Sequence, residues 1–467
     1  MTSEAFVRDG AGVDPARPDA APTADEVLVS VRGGTLRGAR EGGLTILRGV
    51  RYATAERFAP PVPEKPWSGI RDARKHGGVS PQPPARSAGP AGLSELGLQS
   101  EDCLNLTIVT PAADRARRPV LVWLHGGAYR SGSGSWDRYR TDRLAREGGV
   151  VVVSVNYRLG ALGYLRAPGV SPGNLGLLDQ IEALRWVRDN AADLGGDPEN
   201  VTVVGQSSGA HSVACLLGVA QARPLFRRAV LQSPPLGLGL GRPALAARVA
   251  ERFLTRLGRD PREASTAEVI AAQQLTERDM SRRTGFGMAP VYGPVAGADP
   301  LPDVPGWRAA AREGAGNLEV VLGTTRREIA YYLAGGPLSR RVPLVGRAVE
   351  DGVVNAVTQA VFTRPTLRFG RLLGRAGARV FAYCLDDPAS VSPYRACHTS
   401  DLPLLFGDEA AWANAPMLAG LSWAEVFDRG APIRSAWLSF ASGGAEALTA
   451  QGWAAYSGRA SEVRRFA

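Results

Sequence analysis

From residue 119 onward, short apolar runs alternate with longer amphipathic stretches, the pattern of a mainly parallel sheet covered by helices. Residues 120–124 read as a strand that ends in the small-residue loop His125, Gly126, Gly127, Ala128, and residues 150–155 read as another. Residues 177–194 place Leu178, Ile181, Leu184, Trp186 and Val187 on a helical period and stop at the turn Gly195, Gly196, Asp197, Pro198. The β-branched run at 201–204 then predicts a strand, and a helix is expected from just after it to about Leu217. Further strands are expected at 228–231, 318–322 and 379–385. This order predicts an α/β protein. Residues 236–290 and 330–377 carry helical patterns without strong strand signals. Insertions beyond the carboxyl ends of strands sit where open sheets place their ligands, so both are expected to cap a pocket.

Composition narrows the class. With 467 residues, 44% of them hydrophobic, the chain can bury a large core, and no internal linker demands a second domain. Residues 1–26, rich in Ala, Pro and Asp, have no hydrophobic period and predict a disordered tail, leaving 27–467 as a single catalytic domain. The tail lacks a basic segment followed by an apolar one, and no apolar run approaches the ~20 residues of a membrane span, so a soluble, cytoplasmic protein is expected. Four cysteines, Cys103, Cys215, Cys384 and Cys397, have neither disulfide-scaffold density nor metal-ligand spacing. The net charge of +10 is scattered among arginines interleaved with acids, Lys65 and Lys75 being the only lysines, which argues against a nucleic-acid partner.

The chemistry concentrates at Gly205, Gln206, Ser207, Ser208, Gly209, where the strand pattern stops and the helical one begins. A G-x-S-x-G turn at that junction fits the nucleophile elbow of an α/β hydrolase, whose sharp bend excludes bulky flanking residues. An acyl-transfer serine needs a base, a carboxylate that orients the base, and donors for the oxyanion. Four histidines are available. His76 reads as solvated, and His125 as a shaper of its glycine loop. His211, a full turn along the helix from Ser207, is expected to point away from the substrate side. His398 alone satisfies the order serine, acid, histidine. For the acid, Glu328 follows the strand at 318–322, while Asp299 and Asp303 in a proline-rich loop are weaker rivals. Backbone N–H groups of Gly127, Ala128 and Ser208 are candidates for the oxyanion hole, with Gly126 shaping the loop.

Ser100 to Leu106, Asn156 to Gly160, Gly173 to Gln180, Gly195 to Pro198 and the elbow closely resemble type B carboxylesterases, the group of bacterial p-nitrobenzyl esterases and cholinesterases. The resemblance runs from about residue 30 to the C-terminus. It implies an α/β-hydrolase fold with a mostly parallel twisted sheet, flanking helices, and helical insertions around a gorge. It also implies Ser207 as nucleophile, Glu328 as acid and His398 as base, with Ser233 supporting the acid. Gln206 stands where the family usually has Glu, which removes a negative charge and points to neutral esters. Cys103 matches a family half-cystine, but Ser80 stands at its partner's place. Segment 81–99 lacks a tryptophan for a quaternary ammonium. Arg327 and Ile329 flank the acid where smaller residues are usual, and the segment at 49–58 is shortened.

The activity implied is hydrolysis of neutral carboxylic esters through an acyl-enzyme, with no metal or organic cofactor and a small-molecule ester as partner. An acyltransferase or cyclase using the same three residues is the alternative, and a non-catalytic binding protein the lesser one. The sequence leaves monomer and homodimer both open.

Overall fold

The computed structural model describes residues 25–84, 89–92, 97–281, 290–334, 343–386 and 392–467. The tail expected over residues 1–26 lies almost wholly outside these, and Glu26 already opens the first strand.

The described residues build a 12-stranded sheet. In chain order its strands are β1 (Glu26–Val31), β2 (Gly34–Glu41), β3 (Leu44–Arg51), β4 (Ile70–Asp72), β5 (Asn105–Thr110), β6 (Arg118–Leu124), β7 (Val151–Val155), β8 (Gly196–Gln206), β9 (Arg228–Gln232), β10 (Glu319–Thr325), β11 (Arg379–Leu385) and β12 (Val463–Phe466). Their spatial order is β1-β2-β3-β5-β7-β6-β8-β9-β10-β11-β12, with β4 on β2. From β7 through β12 every pairing is parallel, as the pattern from residue 119 predicts. Of the antiparallel part, β1-β2-β3-β5-β7, only β7 is among the predicted strands. The cause of the antiparallel pairing is local: Arg32 with Gly33, and Gly42 with Gly43, leave two-residue links that only hairpins can use.

Alternation along the central strands sends side chains into two apolar layers. Val120, Val122, Val153, Val203 and Leu322 face one layer, which the helices α1 (Leu175–Asn190), α2 (Ser208–Leu217) and α7 (Arg364–Arg375) cover. Leu121, Trp123, Val152, Val204 and Val321 face the other, against the long α8 (Trp423–Ala450). Strands buried on both faces have no reason to alternate with polar residues, which explains runs such as Val150 to Val153. Each fully buried valine or leucine contributes roughly 1.5–3 kcal/mol relative to exposure.

Four further helices, α3 (Pro243–Leu257), α4 (Thr266–Ser281), α5 (Val304–Glu313) and α6 (Pro343–Thr358), fall in or beside the two predicted insertions. A buried ion pair braces the sheet beneath the site. Arg158 grips Asp179 of α1 through Nε and Nη2 at 2.9 and 2.7 Å and donates to the Ala59 carbonyl at 2.7 Å. Mostly parallel strands with helices on both faces make this the fold of an α/β hydrolase.

Candidate active site

Parallel register brings the candidate residues together. Gly205 of β8 sits beside Leu124 of β6 and Leu231 of β9, and Gln232 beside Gly323 of β10. The loops that follow β6, β8 and β10 therefore start at the same edge of the sheet, and they carry Gly126, Ser207 and Glu328 respectively.

Ser207 occupies φ 55°, ψ −121°, between the end of β8 and the first turn of α2. Such a backbone stores about 1–3 kcal/mol and persists only where the surroundings fix it. The flanking glycines fix it by contact. A Cβ on Gly209 would lie 2.0 Å from the Leu124 carbonyl oxygen, and one on Gly205 would lie 2.4 Å from Gly209 backbone.

His398 Nε2 lies 2.8 Å from Ser207 Oγ, and Nδ1 lies 2.6 Å from Glu328 Oε2. Glu328 is fully buried, and its other oxygen accepts the Thr325 N–H at 2.8 Å. The backbone couples the two loops as well, with His398 N–H donating to the Glu328 carbonyl at 3.2 Å and Arg327 N–H to that of Ala396 at 3.1 Å. Asp303 is elsewhere, capping α5 by accepting the Gly306 N–H. Arg327 turns away from the acid to pair with Asp351 at 2.5 Å, and Ile329 is fully buried.

Ser233 departs from its expected role. Its Oγ is buried without a hydrogen-bond partner, while its N–H donates to the Gly323 carbonyl at 2.8 Å and φ is 49°. The residue that sequence reasoning missed behind the relay is Asp401. Its carboxyl is fully buried and accepts from Gln232 Nε2 at 2.7 Å. Loss of hydration, and then the charge of Glu328, push it up to about 7. A carboxylate three residues past His398, at the start of an apolar run, was the available signal.

The loop after β6 folds back on itself. The Gly127 carbonyl accepts from Arg130 and Ser131 N–H at 3.0 and 3.1 Å, and the N–H groups of Gly127 and Ala128 have no acceptor among the described residues. Gly127 has φ 119°, and a Cβ there would lie 1.8 Å from the Ser131 carbonyl oxygen. Ser208 opens α2, where first-turn N–H groups have no partner within the helix. His125 shapes this loop as expected: Nδ1 lies 2.8 Å from the Gly126 carbonyl, and the ring stacks on Tyr157 at 4.4 Å. Burial lowers it to about 4, so it is neutral at pH 7. His76 is exposed.

A cavity of about 340 Å3 opens over Ser207. Leu238, Leu240, Leu245, Val295, Val361 and Phe362 line it, all from the two insertions or directly after them. Val361 and Phe362 belong to a π-helical turn, Gln359–Thr363, which brings the Phe362 ring to 5.2 Å from His398. His211 also lines this cavity, contrary to the expectation that it points away. Residues i and i+4 share a helix face, and side chains tilt towards the N-terminus, so His211 leans back over Ser207. Its Nδ1 meets the Tyr129 hydroxyl at 2.8 Å, and burial lowers it to about 4. Gln206 is buried with Nε2 3.3 Å from His398 Nε2. Ser80 hydrogen-bonds the Cys103 thiol, whose burial raises it to about 12, and Cys103 is unpaired. The shortened rim segment is anchored by Arg57, which pairs with Glu101 and donates to the Pro261 carbonyl at 3.1 Å. Among the described residues no group of three or more His, Cys, Asp or Glu is placed to hold a metal ion.

Residues 25–342 match the model of the carboxylesterase family. The chain is 45% identical, over 87% of its length and 91% of the relative's, to a probable N-octanoylanthranilate hydrolase of Rhodococcus erythropolis. It is 32% identical to the para-nitrobenzyl esterase of Bacillus subtilis, with 92% of each covered. Its fold superposes on a crystal structure of a Geobacillus stearothermophilus carboxylesterase with a TM-score of 0.74 and 33% identity, covering 89% of this chain and 91% of that one.

Proposed function

This chain belongs to the carboxylesterase family and is a carboxylic ester hydrolase, and we propose that Ser207, His398 and Glu328 carry its reaction through an acyl-enzyme. Ser207 Oγ attacks the ester carbonyl while His398 Nε2 takes its proton. Glu328 holds the imidazole with Nδ1 protonated and stabilises the imidazolium. The N–H groups of Gly127, Ala128 and Ser208 receive the oxyanion, each such donor being worth about 3 kcal/mol in hydrolases. His398 then returns the proton to the departing alkoxide, and water repeats the sequence to release the acid. The observation that carries this reading is the unbroken relay of 2.6 and 2.8 Å from Glu328 to Ser207.

Within this reading residues 27–467 form one catalytic domain, and the insertions at 236–290 and 330–377 cap the cavity. Part of each insertion, 282–289 and 335–342, lies outside the described residues. The apolar lining fits a medium-length acyl chain, in keeping with the octanoyl group named in the Rhodococcus relative. The relatives are hydrolases, which does not favour the transferase or cyclase alternative. We place the enzyme in the cytoplasm, because Cys103, Cys215, Cys384 and Cys397 are all free. Among the described residues no helix is long and apolar enough to cross a membrane.

A p-nitrophenyl ester series from acetate to decanoate tests the proposal, with N-octanoylanthranilate as the amide arm. Rates are expected to rise from acetate towards octanoate. Ser207→Ala should lower kcat by roughly four to six orders of magnitude; turnover that survives this change sinks the mechanism.

A further inference from the structure

Beside the Ser207 cavity lies a second one, of about 470 Å3. The two share His211, Gly239 and Leu240 as a wall. That wall is held in place: the Tyr129 hydroxyl lies 2.8 Å from His211 Nδ1, and the ring also hydrogen-bonds the Gly239 backbone. The second chamber has an apolar floor, where Trp307 and Phe369 stack with ring centroids 5.5 Å apart and 12° between their planes, beside Leu372.

Its rim is cationic. Arg308 and Arg312 stand one turn apart on α5, and Arg368 faces the chamber from α7. All three are exposed, none has an ion-pair or hydrogen-bond partner among the described residues, and no carboxylate lines the chamber. Like charges at i and i+4 destabilise a helix, so this pair works against α5 unless something negative sits between. A volume of this size is ordinary for a small-molecule site, which is typically apolar with a few convergent polar groups. Arginine forks suit a carboxylate, and the stacked aromatic floor suits a hydrocarbon tail.

We infer that this chamber is a binding site for a carboxylate with an apolar tail, separate from the Ser207 cavity. The ligand has two sources, the acid released at Ser207 or an independent acid from solution. Occupancy does not require turnover, so the inference stands apart from the proposed mechanism.

Equilibrium dialysis of the full chain with decanoate tests it, with decanol as the uncharged probe. Saturable decanoate binding is expected, at least tenfold tighter than decanol and weakened by salt. The double variant Arg312→Gln/Arg368→Gln should bind decanoate at least tenfold more weakly while hydrolysing p-nitrophenyl acetate at the normal rate. Leu372→Trp, which fills the chamber without touching a charge, should abolish binding. Decanoate that binds the double variant as well as the natural chain, or that binds only in competition with p-nitrophenyl acetate, overturns the inference. The sources separate kinetically. Slowing of p-nitrophenyl decanoate progress curves that the double variant relieves supports the reaction's own acid, whereas non-competitive modulation of acetate hydrolysis by added decanoate supports an independent one.

Discussion

Gln206, next to the proposed nucleophile, is buried against His398. Its amide nitrogen sits 3.3 Å from His398 Nε2, the atom proposed to accept the Ser207 proton. The amide is neutral and adds no charge beside that atom. A carboxylate would hold the proton more firmly, so Gln206→Glu should move the acid limb of the kcat/KM profile upward by about one pH unit. An unshifted limb contradicts that account. Asp401 makes a second prediction with the opposite sign from an ordinary aspartate. Its folded carboxyl is raised to about 7 while the unfolded one ionises near 3.8. Below about pH 4 both states are protonated and the group contributes nothing. Between about 4 and 7 the unfolded state loses its proton while the folded state keeps it, so stability declines as pH rises. Asp401→Asn should flatten this decline in urea titrations at pH 4 and pH 8, and an unchanged slope would refute the assignment. The meeting of Ser207, Glu328 and His398 was readable in the chain because reaction order and motif spacing constrain them. Asp401 was not, since a lone aspartate carries no period and its burial arises only when β9 and the His398 loop meet.

At the scale of elements, the parallel strands were legible because burial on both faces leaves unbroken apolar runs. The antiparallel β1 to β3 alternate more weakly, and their strongest signals were turns rather than strands. His211 was misplaced by treating one turn along a helix as a displacement away from Ser207, when i and i+4 lie on the same face. What locks α1 to the site is the pair Arg158 and Asp179, both almost wholly buried. Asp179→Ala strands the guanidinium and should cost about 3–5 kcal/mol of stability in denaturant titrations. A loss under about 1 kcal/mol would show that the brace is dispensable.

The whole molecule is basic, and the one formally charged residue lining the Ser207 cavity among the described residues is Arg242. No carboxylate lines that cavity among the described residues. Acylcholines should therefore be turned over at least tenfold more slowly than the isosteric 3,3-dimethylbutyl esters, compared by kcat/KM at low salt. Equal values would contradict this reading. The helical character of residues 236–290 and 330–377 was legible where they are described, but which of their residues line the cavity over Ser207 depended on the π-helical turn and on packing that no local pattern encodes. All of this rests on Ser207 as the nucleophile, and one measurement reaches it directly: incubation with a p-nitrophenyl phosphonate, followed by mass-spectrometric mapping of the labelled peptide. One phosphonyl group per chain, on Ser207, is the predicted result; a label on any other residue, or none, would contradict it.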